Sequence, residues 1–173
     1  FGHHEGDVHE NVISNVMKGA QLLNIAGIAP SSAVNGVTIY RPMLPFNKDV
    51  IYEYAHKYGV PYFKDTTPMW STRGKLRGKL QPLLADIYGA GYTTHLTAIA
   101  RESTQCAALV DTALLTPFLR TVSRSRVAIS VDLAPYAEMP LFFWREALRR
   151  ICEQMLGAGL VREPPILLLL ERL

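Results

Sequence analysis

The stretch GHHEGDVHEN, residues 2–11, sets three histidines and three acids within ten residues. A zincin helix needs HExxH, with two histidines four apart on one face. Here Val8 occupies the second histidine's place and His9 follows one residue late, so a thermolysin-type metal site is excluded. At about 100° per residue, Val8, Val12, Ile13 and Val16 fall on one side of a helix. Asp7, Glu10, Asn11, Ser14 and Lys18 fall on the other, joined by His3 and His4 where the first turn extends back. Asp7 and Glu10 are three apart and therefore neighbours. Their carboxylates repel unless a cation shares them, and Mg²⁺ or an amino group would relieve that repulsion. The plainer alternative is a helix start whose acids complement the dipole and whose histidines cap nothing. His9 lies on the apolar side and reads as structural.

A second stretch, DTTPMWSTRGKLRGKLQPLL, residues 65–84, carries the densest acid-free positive charge in the chain. Between Thr66 and Ala85 the charged residues are Arg73, Lys75, Arg77 and Lys79. Arg73 and Arg77 flank the stripe Leu76, Leu80, Leu83 and Leu84, and arginines at the edge of a buried stripe reach into a neighbouring cleft. Lys75 and Lys79 point away, towards solvent or a phosphate backbone. Asp65, with Thr66 and Thr67, is placed to cap or brace the turn before this helix. A solvated basic helix is the alternative.

Working outward, the pattern predicts a helix from Asp7 to about Leu23, then a loop over IAPSSAVNG. VTIYRP, residues 37–42, reads as a short strand ended by proline. Asn47 and Gly59 bracket a helix. VPYF, residues 60–63, reads as another strand, and Leu76 to Tyr88 as a helix. A long helical pattern runs from Thr94 to about Val122 with a break near Pro117. RVAISVDL, residues 126–133, is strand-like, Leu141 to Leu156 is an amphipathic helix, and a last helix starts with Pro164 and Pro165 in its first turn. The organisation changes near Gly89–Thr93, which divides the chain into residues 1–90 and 91–173.

The whole chain has 173 residues, 49% hydrophobic and 19% charged, with a net charge of +3. That composition supports a packed core and excludes a disordered chain. It permits a nucleic-acid partner without requiring one. Cys106 and Cys152 form no CxxC, which excludes a zinc ribbon and a thiol-redox pair; both read as core residues of a reduced protein. The longest apolar run near the C-terminus, Ile166 to Leu170, is far short of the roughly 20 residues that span a bilayer. Phe1 begins neither a signal nor a transit peptide.

In order and spacing, HHEGDVHEN, Lys18-Gly19, Arg41-Pro42-Met43-Leu44 and DTTPMWSTRGKLRGKLQPLL resemble the tRNA(Ile)-lysidine synthetase family of PP-loop ATPases. That family carries an HHxDDxxET-like helix, an arginine-glycine turn, an R-P-L-L segment and a D-[ST]-N…R-N…R…P-L block. The resemblance covers roughly residues 2–84, with a weaker helical correspondence over 93–173. Gly6 stands in place of the first aspartate, Asn11 of the threonine and Lys18 of the arginine. Thr67-Pro68 and Arg73-Gly74 replace the usual asparagines. The family's SGGxDS nucleotide loop occurs nowhere in these residues. It is expected upstream of Phe1 or on a partner chain.

The resemblance implies an α/β fold: the C-terminal part of a doubly wound PP-loop domain over 1–90, followed by a mainly helical appendage over 91–173. It implies a two-step, cytoplasmic or organellar reaction with ATP and Mg²⁺ as cofactors and tRNA and lysine as partners, with no membrane. ATP adenylates C2 of an anticodon cytidine, and the lysine amine displaces AMP. Asp7 and Glu10 would hold Mg²⁺ or the attacking ammonium, with Asp7 as the metal ligand. His4 would line the nucleotide or cytidine pocket. Arg41, Arg73 and Arg77 would steady phosphates or developing negative charge, with Arg73 among the catalytic residues. Lys48, Lys75 and Lys79 would contact RNA. The alternatives are a PP-loop tRNA 2-thiolation enzyme, which the isolated cysteines disfavour, and a non-catalytic RNA-binding module or split-enzyme subunit.

Overall fold

The computed structural model describes residues 1–34, 36–63, 66–157 and 163–171. The chain forms two compact units, Phe1–Ala107 and Ala108–Leu173. The division falls after Ala107 rather than at Gly89–Thr93, because the first part of the long helix packs within the first unit. Ser103, buried on that helix, donates through Oγ to the Leu22 carbonyl at 2.7 Å.

In the first unit, helix α1 spans Glu5–Met17 and Gly19, at φ 71°, turns the chain away after it. The helix is therefore shorter than the apolar pattern suggested, and Leu22–Asn24 forms a separate 3₁₀ turn. Strands β1 (Ser31–Val34) and β2 (Val37–Tyr40) pair antiparallel, Ser31 opposite Tyr40 and Val34 opposite Val37. β1 was expected to be loop: its Ser-Ser-Ala-Val has little strand character alone and is ordered by pairing with β2. Helix α2, Lys48–Tyr58, has the expected ends, with Asn47 Oδ1 accepting the Val50 N–H at 2.9 Å and Gly59 left-handed. Residues 60–63 are not a strand; no partner strand lies beside them among the described residues.

Helices α3 (Thr72–Lys75) and α4 (Gln81–Tyr88) are joined by a π turn at Leu76–Leu80. The proline explains the π turn. Pro82 lacks an N–H and its ring crowds the carbonyl four residues back. The residue before it, Gln81, donates instead to Leu76, five residues back. The same arrangement recurs around Pro117, where Thr116 donates to Asp111. The expected break there is thus a widened turn at Asp111–Leu115 between α5 (Tyr92–Val110) and α6 (Thr116–Thr121).

The second unit adds a short antiparallel pair, β3 (Ser123–Arg124) with β4 (Ile129–Ser130), so only two residues of the expected 126–133 strand are paired. Helix α7 (Leu141–Ile151) runs into a π turn at Cys152–Leu156, and α8 spans Glu163–Leu170. The core is aromatic: Phe118 meets Tyr136, Phe143 and Trp144 edge-on at centroid distances of 5.0, 5.3 and 6.1 Å. Leu115, Ala147, Ile151 and Ile166 complete it. The cysteines are not core residues as expected: Cys106 is exposed on α5 and Cys152 half-buried. No described helix is long and apolar enough to cross a membrane. The described strands pair only within these two hairpins.

Candidate active site

The polar face of α1 is where the first unit concentrates buried charge. His4 is the N-cap, contrary to the reading in which the histidines cap nothing. Its Nδ1 accepts the Gly6 N–H at 3.0 Å, and Asp7 Oδ2 accepts the His4 backbone N–H at 2.9 Å. This reciprocal arrangement satisfies two of the helix's orphan donors and fixes the Asp7 carboxylate against the first turn.

The other oxygens of this face meet two arginines from far along the chain. Arg73 reaches Asp7 Oδ1 through Nη2 at 3.3 Å and Glu10 Oε2 through Nε at 3.1 Å. Arg77 donates through Nε to Glu10 Oε1, and through Nη2 to Glu10 Oε2 at 3.3 Å and Asp7 Oδ1 at 3.5 Å. Its Nη1 lies 3.4 Å from Thr67 Oγ1. The side chains of Asp7 and Glu10 are only 8% and 5% exposed, against 46% for Arg73 and 27% for Arg77. Two carboxylates that would repel each other are thus balanced by two guanidiniums, and the arginines face outward.

Local sequence places those arginines. Ser71 caps α3, its Oγ accepting the Gly74 N–H at 3.0 Å and donating to the Pro68 carbonyl at 2.7 Å. Asp65, expected near this cap, lies outside the described residues. Gly74 lets the Pro68–Met69 backbone lie against the helix, since a Cβ there would stand 2.1 Å from the Pro68 oxygen. Arg73 and Arg77 then project on the side facing α1, while Lys75 and Lys79 are exposed beside Leu76, Leu80 and Leu83.

The opposite face of α1 carries a second polar chain. His9 is buried, and its Nε2 lies 2.8 Å from Thr97 Oγ1, which donates to Glu5 Oε1 at 3.2 Å. Because Thr97 spends its proton on Glu5, His9 must donate to Thr97. Burial holds the His9 pKa below its ordinary 6.5, against the opposing pull of Glu5.

Of the residues expected at the site, the structure brings together His4, Asp7, Glu10, Arg73 and Arg77. It does not bring Arg41, whose Nη1 instead donates to the Ala29 carbonyl and to Ser32 Oγ, both at 2.9 Å, bracing the first hairpin. Lys48 sits over the Tyr52 ring at 5.4 Å on α2. Sequence reasoning missed the capping role of His4 and the brace at Ser71. The signal for the latter was present, as Ser71 directly precedes the helical TRGK.

Residues 1–84 match the family model described as the PP-loop domain. This part of the chain is similar to a PP-loop domain. The chain is also similar to the tRNA(Ile)-lysidine synthase of Chlamydia muridarum, 32% identical over 124 residues, 70% of this chain and 38% of that protein. The tRNA(Ile)-lysidine synthase of Chlamydia caviae is 26% identical over 135 residues, 77% of this chain and 42% of that protein. That of Chlamydia trachomatis serovar D is 29% identical over 128 residues, 73% and 40%. The chain spans about two fifths of the length of these curated relatives. The α1 cluster and both arginines fall inside the PP-loop match.

The PP-loop family implies ATP, and the resemblance implied Mg²⁺ on Asp7. The residues do not fit a metal there. Asp7 Oδ2 is engaged by the His4 N–H and Oδ1 by both arginines. Among the described residues no group of three or more histidine, cysteine, aspartate or glutamate side chains is placed to hold a metal ion.

Proposed function

We propose that this chain is part of an ATP-dependent tRNA-modifying ligase of the lysidine-synthase kind. In that reading O2 of an anticodon cytidine attacks the α-phosphate of ATP and pyrophosphate leaves. The lysine amine then adds at C2, and AMP departs as the amine loses its proton. The observation that carries the reading is the Asp7–Glu10–Arg73–Arg77 cluster, built from segments more than sixty residues apart and lying within the PP-loop match.

The roles follow from exposure. Buried Asp7 and Glu10 hold the Arg77 guanidinium in place before substrate arrives, so its positive charge needs little reorganisation to meet a phosphate or a developing oxyanion. Arg73, nearly half exposed, is the movable partner. An incoming ammonium takes its place on Glu10 while Arg73 turns to the phosphate, so no buried carboxylate is left unpaired. Asp7 and Glu10 thereby serve the amine without a metal. Lys75 and Lys79, exposed on the other side of the helix, contact the tRNA backbone. His4 and Arg41 are assigned positioning roles, the first on α1 and the second in the hairpin. The doubly wound sheet and the SGGxDS loop belong, in this proposal, to a segment or chain outside these 173 residues. The second unit, Ala108–Leu173, supplies the helical appendage.

In the complete enzyme, Arg73→Ala should slow single-turnover adenylation about 100-fold with little change in tRNA affinity. Lys75→Ala with Lys79→Ala should do the reverse. Binding weakens by roughly 1–3 kcal/mol, and the slope of log K against log salt flattens by up to about two units. Adenylation that survives Arg73→Ala unchanged would reduce the cluster to a structural ion pair.

A further inference from the structure

Among the described residues of the first unit, a cavity lies on the face of α1 turned away from the arginine cluster. Glu5 and Val8 of α1 form one wall, and Thr97, Ala100, Arg101 and Thr104 of α5 another. The volume is about 560 Å³, within the range of small-molecule sites. The remaining walls are apolar, including Ile28, Pro30 and Leu44.

Four polar side chains stand on this apolar surface, and one of them, Thr104, is turned to the Ala100 carbonyl of its own helix. Glu5 is oriented by the Thr97 hydroxyl, which is itself oriented by buried His9. Arg101 lies one helical turn beyond Thr97 on α5 and is exposed. Among the described residues neither Glu5 nor Arg101 forms an ion pair. A carboxylate held by a relay and a guanidinium without a counter-ion thus line one greasy cleft. Each calls for the opposite charge, and the wall between them for an alkyl chain.

We infer that this cleft is a binding site for a small aliphatic amino acid. Its ammonium pairs with Glu5, its carboxylate with Arg101, and its methylenes lie against Val8, Ile28 and Leu44. At about 100° per residue, Glu5 and Val8 lie across α1 from Asp7 and Glu10. The cleft is therefore separate from the proposed catalytic cluster, and its occupancy does not depend on that activity.

Isothermal titration of the 173-residue chain, without ATP or RNA, tests this. L-norleucine carries the two charges side by side and 6-aminohexanoate carries them at opposite ends. At least one of the two should bind with a Kd of about 1 mM or tighter. Hexylamine and hexanoate, each lacking one charge, should bind about tenfold more weakly. Glu5→Gln keeps an acceptor for Thr97 and should reduce the better amino acid to the affinity of hexanoate. Arg101→Ala, at an exposed position, should reduce it to that of hexylamine. If Glu5→Gln lowers the melting temperature, Arg101→Ala carries the charge test alone. Absence of binding by both amino acids at about 10 mM, or an affinity that Arg101→Ala leaves unchanged, overturns the assignment.

Discussion

The two units are held together by different interactions. In the second, the buried side chains are Leu115, Phe118, Phe143, Trp144, Ala147, Ile151 and Ile166, with Glu146 the one buried charge among the described residues. That carboxylate is met by Arg149 at 2.7 Å from its own helix. In the first unit, Asp7, His9, Glu10 and Ser103 are buried beside only Val12, Ile13, Leu44, Ala55 and Ala100. Apolar burial stabilises in proportion to area and is indifferent to pH and partner. A buried ion pair adds little net stability but is costly to break from one side. The first unit therefore depends on pairing, the second on volume, and the proposed chemistry sits where pairing rules.

The largest expected effect probes the volume side of that contrast. Trp144→Ala empties a site with no exposure and should destabilise the second unit by about 3–5 kcal/mol. Hydrogen exchange resolved by peptide should show the loss in the second unit and spare α1. Protection lost equally in both would mean that the units unfold as one.

Next comes the pairing side. Arg77→Ala leaves buried Glu10 with Arg73 alone and its Oε1 unpaired, and should cost the first unit about 1–3 kcal/mol. Adding Glu10→Gln should recover part of that loss. A double variant as unstable as the sum of the two singles would contradict charge balance as the cause. Gly74→Ala tests the loop that aims the arginines. Its new methyl would meet the Pro68 oxygen, and a cost of about 1–3 kcal/mol is expected by thermal unfolding.

The smallest effect is with pH. His9 titrates below the 6.5 of an unfolded histidine because it is buried. Above pH 6.5 both states hold it neutral and its contribution is complete. As pH falls below 6.5 the unfolded chain takes up the proton first, so the first unit loses stability until the folded value is passed. Urea midpoints across this window should fall for the wild type and stay flatter for His9→Gln. An equal slope in both would assign the titration to another group.

Much of this was legible in the residues. Asn47 and Gly59 mark the ends of α2 correctly, but the leucines of 76–84 are not a buried stripe: Leu83 is half exposed, and Lys75 and Lys79 lie beside Leu76, Leu80 and Leu83 rather than away from them. That the two arginines close on Asp7 and Glu10 was not legible, because nothing local joins residues 63–70 positions apart. A lone carboxylate pair reads as a cation site, and the cation turned out to be supplied by the chain itself. β1 was missed for a related reason. Ser31–Val34 becomes a strand only through its partner, and pairing is not a property of four residues. The π turns were half visible: Pro117 signalled a disturbance, but not that the helix would widen and continue.

The cap at the start of α1 has a use in spectroscopy. Because His4 Nδ1 accepts from the Gly6 N–H, its ring proton must sit on Nε2 while the cap is formed. His9 must carry its proton on the same nitrogen to donate to Thr97. The two imidazoles of α1 are thus locked in one tautomer by separate neighbours, one at the helix end and one in its interior. Nitrogen-15 shifts of the two rings would report, without any ligand or assay, whether the first turn has frayed and whether the relay to α5 is still closed.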